Sequence, residues 1–211
     1  MSFSHDERRR LADLLLAKGP DAPTLCEGWL TRDLAAHLWI RENRPDAAAG
    51  MFVSSVEGHL SATMTQVKER PYGELVHDWA EGPGKFSPVR LIDRWLNLAE
   101  HFVHHEDVRR GQWMIDGTLP QARSLSEEEN ATLAKAVVAI SKMLLRHSEH
   151  PVQIRIPGRV TFDLHPKSAD RGSAVTVTGE PGEVLLWLFG RDATHVTMSP
   201  EGAPDPRKVQ P

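Results

Sequence analysis

Between Asn97 and Arg110 the chain reads Asn-Leu-Ala-Glu-His-Phe-Val-His-His-Glu-Asp-Val-Arg-Arg, and no other stretch sets metal-capable and proton-transferring side chains so densely. On a helix, residues four apart project from one face, one turn apart. Glu100 and His104 therefore form one half-site for a divalent cation, and His101 and His105 form another. The predicted apolar stripe of the segment, Val89, Ile92, Leu96, Ala99 and Val103, marks the side that packs inward. At about 100° per residue, Glu100, His104 and Asp107 fall along one edge of that stripe, while His101 and His105 fall toward the opposite side. The edge pair is the better candidate for a buried site. A Glu and a His one turn apart are equally at home on a solvated face, so the half-site needs a second one elsewhere.

That second half-site is offered by residues 31–41. Thr31 is a predicted N-cap, Asp33 suits the positive end of the helix dipole, and Leu34, His37, Leu38 and Arg41 share one face. A lone histidine on an apolar face is more often a satisfied core residue than a ligand. Joined to Glu100 and His104, His37 completes a set of two nitrogens and one oxygen, which leaves positions open for water or substrate as catalytic zinc sites do. A metal there polarises a carbonyl or lowers the pKa of a bound water or thiol. The same set accepts nickel, iron or manganese as well as zinc. Asp107, one turn beyond His104, either orients a ligand histidine or is a surface carboxylate.

The elements that must position these groups are mostly helical. A capping pattern at Ser4 and Glu7 opens a helix over 4–18 with Leu11, Leu14 and Leu15 inward and Arg8, Arg9 and Arg10 on a solvated face. Residues 21–30 form a loop by their Pro and Gly content. A third helix is expected over 52–70 from Phe52, Val56, Leu60, Met64 and Val67. An irregular connection with Trp79 runs between Pro71 and Gly84. Ser87-Pro88 opens the central helix, which ends at Gly111. Ser126 and Glu129 open a long helix with Leu133, Val137, Ile140 and Leu144 inward. After Pro151 the texture changes to alternating strands at 152–156, 159–164 and 174–178, a short apolar helix at 184–189 and a final strand at 195–198. The expected class is α+β: a metal-binding four-helix bundle over 1–150, a small α+β domain over 151–200 and a loose tail over 201–211.

Composition narrows the function classes. A net charge of −4 and a pI near 6.3 give no broad electropositive footprint, so nucleic acid is not an expected partner. No apolar run reaches the roughly 20 residues that span a bilayer, and the first residues lack the plan of a secretory signal, so a cytoplasmic protein with no membrane partner is expected. Cys26 is the single cysteine, which excludes an internal disulfide and a multi-thiolate zinc cluster. There is no G-x-S-x-G elbow, no Gly-rich phosphate loop and no H-E-x-x-H.

Three stretches carry a resemblance. Glu27-Gly-Trp-Leu-Thr-Arg-Asp-Leu-Ala-Ala-His37-Leu, Glu100-His-Phe-Val-His104-His-Glu-Asp107 and Gly179-Glu-Pro-Gly-Glu-Val-Leu-Leu-Trp-Leu-Phe-Gly-Arg191 together resemble the mycothiol-dependent maleylpyruvate isomerase superfamily of actinobacteria, part of the wider DinB-like four-helix bundles. An uncharacterised metal-binding branch is the nearest likeness. The resemblance implies a zinc-binding amino-terminal bundle and maps the family's ligands onto His37, Glu100 and His104. It also implies mycothiol as cosubstrate, a small electrophilic substrate, and a monomer or homodimer acting as a thiol S-transferase or thiol-dependent isomerase. A basic residue for substrate carboxylates is implied too, and Arg70, Arg90, Arg94 and Arg191 are the candidates. Two other readings stay open. One is a non-catalytic or stress-response module whose metal site is closed by His101 or His105; the other is a metal-dependent hydrolase.

Overall fold

The computed structural model describes residues 3–48, 57–83, 94–167, 169 and 172–207, and it is a mixed α+β structure. In chain order the elements are α1 (Phe3–Lys18), α2 (Thr31–Asn43), α3 (Pro45–Ala48), α4 (Glu57–Lys68), α5 (Tyr72–Ala80), α6 (Arg94–Arg109), α7 (Trp113–Asp116), α8 (Glu127–Leu144), β1 (Val152–Ile156), β2 (Val160–Leu164), β3 (Val175–Thr178), α9 (Pro181–Leu188) and β4 (Thr197–Ser199). The predicted helix starts at Phe52 and at Ser87-Pro88, with Val56, Val89, Arg90 and Ile92, lie outside the described residues. No helix among the described residues is long and apolar enough to cross a membrane. By internal contacts the chain divides into Met1–Asn97 with His104–Thr118, and Leu98–Val103 with Leu119–Pro211. In this division α8 falls with the strands and α9.

In the first unit α2 packs on α4 and α5, and α1 packs on α5. Its core joins Leu11 and Leu15 of α1, Leu34, Leu38 and Ile40 of α2, and Leu75, Val76 and Trp79 of α5, all nearly or fully buried. Each such side chain contributes about 1.5–3 kcal/mol on leaving water. Two expectations are corrected here. The stretch expected as an irregular connection is largely α5: Pro71 sits at its N-cap, where the missing N–H is not needed, and the Leu75 N–H closes the first turn on Pro71 O at 3.0 Å. Trp79 is core rather than loop. Arg8 is buried rather than solvated, because its guanidinium makes a two-pronged pair with Glu42 at 2.6 and 2.9 Å and donates to Trp79 O at 2.6 Å. The Trp79 indole N–H also donates to Glu42, at 3.2 Å, and Arg8 lies over the indole ring at 4.8 Å. Paired charge and cation–π contact thus tie α1, α2 and α5 together.

The start of α2 differs from expectation by one residue. Leu30 takes the N-cap position, and Asp33 Oδ2 accepts its N–H at 3.0 Å. Thr31, the expected cap, donates its hydroxyl to Gly19 O at 2.5 Å and accepts the Ala22 N–H at 3.2 Å. Burial pushes the Asp33 carboxyl up, but the Lys68 ammonium at 2.6 Å and the Leu30 N–H together hold it below the ordinary carboxylate value.

In the second unit α8 begins at the predicted capping box: Ser126 Oγ accepts the Glu129 N–H at 3.2 Å, and Glu129 Oε2 accepts the Ser126 N–H at 2.8 Å. Its buried Leu133, Val137 and Ile140 are the predicted inward residues, and α8 packs against α9, which is buried throughout and apolar except for Glu183. The sheet order is β2-β1-β3-β4, antiparallel except for β1 beside β3, with Ile154 opposite Phe162 on one side and Val177 on the other. Gly182 allows α9 to meet Phe102: a Cβ there would lie 2.7 Å from the ring's Cζ. The tail expected to be loose is fastened as far as Arg207, which pairs with Asp205 and Asp192 and donates to Trp187 O and Arg191 O.

Glu42→Ala should strand the Arg8 guanidinium in the core and lower unfolding free energy by about 3–5 kcal/mol in a denaturant titration, whereas an exposed carboxylate such as Glu74 should move it little. Tyr72 is the sole tyrosine. Burial pushes its phenol up to about 12, against smaller opposing pulls from the Thr31 hydroxyl and Arg32, and its O–H donates to Leu15 O at 3.0 Å. Phenolate absorbance should therefore titrate near pH 12 instead of near 10. The folded value is the higher one, so this group's stabilisation is full below pH 10 and lost as pH rises through 12; Tyr72→Phe should flatten that slope.

Candidate metal centre

The residues that could hold an ion come from α2 and α6. Leu34 and Leu38 are buried on either side of His37 along α2, so the same inward face carries the imidazole into a half-buried position. Glu100 and His104 stand one turn apart on α6. One ligand atom from each of His37, Glu100 and His104 lies within 4.8 Å of the others, and the His37 and His104 ring centroids are 5.3 Å apart at 73°. A donor set of two imidazoles and a carboxylate at that spacing fits a divalent cation such as zinc, with protein ligands filling three positions. The donor chemistry does not select zinc over nickel, iron or manganese.

The expectation that His101 and His105 face the solvated side is corrected. Both are buried, at 4% and 8% exposure, because α6 is enclosed on nearly every side from Leu98 to Val108. The apolar stripe located one packed face, and α1 supplies another in which Glu7 Oε2 lies 3.1 Å from His105 Nδ1. Among the described residues neither His101 nor His105 joins the donor group of His37.

Asp107 is fully buried, not a surface carboxylate. Its Oδ2 lies 2.8 Å from His104 Nδ1, so the imidazole donates there and keeps Nε2 for an ion. The thiol of Cys26 donates to the same oxygen at 3.3 Å. The loop 19–30 is fastened at that point: the Leu25 N–H donates to Asp107 O at 3.0 Å, and a Cβ on Gly111 would lie 1.9 Å from Pro23 O. The same loop lays Trp29 against His37, with ring centroids 5.1 Å apart. Sequence reasoning used Cys26 only to exclude a disulfide and a multi-thiolate cluster and gave Trp29 no role of its own. The contacts across 81 positions from Cys26 to Asp107 had no local signature.

Of the arginines weighed as substrate-binding groups, Arg70 pairs with Asp78 and lies 5.1 Å over the Trp39 ring. Arg191 donates to Phe189 O at 2.6 Å, at the carboxy-terminal end of α9. Arg90 and the side chain of Arg94 lie outside the described residues. The geometry instead puts Arg41 near the centre's elements: it follows His37 by one turn on α2 and donates to Asn97 Oδ1, one turn before Glu100 on α6, at 3.2 Å.

No family model matches the sequence, and neither the curated proteins nor the solved structures yield a match. The reading of the centre therefore stands on its own donors.

Asp107→Asn keeps the shape of the residue but removes the carboxylate that fixes the His104 tautomer. Affinity for zinc at the His37–Glu100–His104 position, measured by competition with a chromophoric chelator, should fall about 10–100-fold, while His37→Ala should abolish binding at that position. Equal zinc affinity in wild type and both variants would remove the trio as ligands.

Proposed function

We propose that this protein is a divalent-metal-dependent enzyme of low-molecular-weight thiol chemistry, acting on a small electrophile as a thiol S-transferase or a thiol-dependent isomerase. The reading extends the resemblance to mycothiol-dependent maleylpyruvate isomerases and the DinB-like bundles. It takes mycothiol as the cosubstrate and zinc as the first choice of metal. The observation that carries it is the convergence of His37, Glu100 and His104, which offers three protein donors from two helices and no fourth from His101 or His105.

In this reading His37 and His104 each give a neutral imidazole nitrogen and Glu100 gives a carboxylate oxygen. A zinc ion held by them would lower the pKa of a thiol at the remaining position, so that a thiolate is present at neutral pH. Asp107 keeps His104 in the donating geometry through its Nδ1–H. The Trp29 ring packs against one side of His37. The thiolate sulfur then forms a bond to an electrophilic carbon. In a transfer the leaving group departs with the electron pair; in an isomerisation the added thiol permits rotation about the former double bond and is expelled again. A closed structural site would need a fourth protein ligand, and a hydrolase would need no thiol.

A panel of conjugated and halogenated small electrophiles should be consumed by the zinc-loaded protein only when mycothiol is present, and His37→Ala should lose at least a hundredfold of that rate. Consumption of model esters or amides at equal rates with and without the thiol would replace this reading with hydrolysis.

A further inference from the structure

A second donor set shares His104 with the first. Ligand atoms of Cys26, His104 and Asp107 also lie within 4.8 Å of one another, and they bring three different donors, sulfur, nitrogen and oxygen. Asp107 Oδ2 is the hub, 3.3 Å from Cys26 Sγ and 2.8 Å from His104 Nδ1. Ligands around one tetrahedral zinc, with bonds of about 2.3 Å to sulfur and 2.0 Å to nitrogen or oxygen, are separated by roughly 3.3–3.5 Å. Two of the separations, 2.8 and 3.3 Å, thus lie near the spacing an ion needs, and the sulfur and an imidazole nitrogen lie within 4.8 Å of each other.

We propose that Cys26, Asp107 and His104 form a second metal position for a thiophilic divalent ion, bound by the Cys26 thiolate, an Asp107 carboxylate oxygen and His104 Nδ1. His104 would then bridge two ions, with Nε2 toward the position shared with His37 and Glu100. The second ion replaces the two protons that now lie in the hydrogen bonds to Asp107, one from the thiol and one from the imidazole. Thiolate and carboxylate together would balance its double charge, and the imidazolate that His104 then becomes would share its negative charge between the two ions. The sulfur selects zinc, cadmium or cobalt over magnesium or calcium.

The surroundings hold this triangle before any ion arrives. The Cys26 N–H donates to Thr24 Oγ1 at 3.1 Å, Cys26 O accepts the Trp29 N–H at 2.9 Å, and the Leu25 N–H is anchored on Asp107 O at 3.0 Å. Asp107 and His104 are buried, whereas Cys26 is half-buried. The position does not depend on thiol transfer, because Cys26 and Asp107 are not donors of the first set.

The test is an anaerobic cobalt(II) titration of the metal-stripped full-length chain, with a phosphine reductant in place of any thiol. Wild type should bind two equivalents, the second bringing the near-ultraviolet charge-transfer band of a thiolate on cobalt. Cys26→Ser should bind one equivalent without the band, and His37→Ala should keep the band. In wild type the second equivalent should also slow alkylation of Cys26 at least tenfold, a readout that needs no substitution. A single equivalent in wild type, a second equivalent without the band, or unchanged alkylation would overturn the second position. None of these results bears on thiol-dependent turnover, whose failure is read separately from the electrophile panel.

Discussion

The hydrogen bond between Asp107 Oδ2 and His104 Nδ1, 2.8 Å long between two buried residues, is the contact on which the proposed metal chemistry depends. An imidazole presents two nitrogens, and only the partner at one of them decides which is left for an ion. Asp107 makes that choice from one turn away on the same helix, so the ligand's tautomer is fixed by α6 itself. Burial strengthens the bond, since water does not compete for either group.

The rest of the amino-terminal unit can be understood as holding α2 and α6 to that geometry. The loop 19–30 is tied to the start of α2 through Thr31 and to the end of α6 through Leu25, Cys26 and the bare Gly111 Cα facing Pro23. The Arg8–Glu42–Trp79 cluster ties α2 to α1 and α5. Such a cluster is a costly way to fill a core, because buried charges lose hydration that their attraction only partly restores. What it contributes is orientation: a two-pronged guanidinium–carboxylate pair fixes the rotation of both helices, where apolar side chains would tolerate sliding.

Much of this was legible in the sequence where the information is local. Capping residues at Ser126 and Glu129 and alternation at 152–156 depend on near neighbours and were read to within a residue or so. The spacing of Glu100 and His104, and the inward placement of His37 between Leu34 and Leu38, follow from helical periodicity alone. The misreadings share one cause, which is partners distant in sequence. Arg8 looks solvated until Glu42 is brought to it, His105 until Glu7 is, and Trp79 looks like loop because Pro71 and Gly82 punctuate a helix too short to show its own period. Periodicity finds one packed face, and a helix enclosed on several sides has more than one.

The proposed function rests on a single claim: that His37, Glu100 and His104 hold one metal ion and leave a place for a thiol. X-ray absorption at the zinc edge, on protein carrying one equivalent of zinc, reads that claim directly. The account predicts a first shell of nitrogen and oxygen alone, with scattering from two imidazoles, and the appearance of one sulfur at about 2.3 Å when mycothiol is added. Sulfur in the shell before any thiol is present, or a shell that the thiol leaves unchanged, would contradict it.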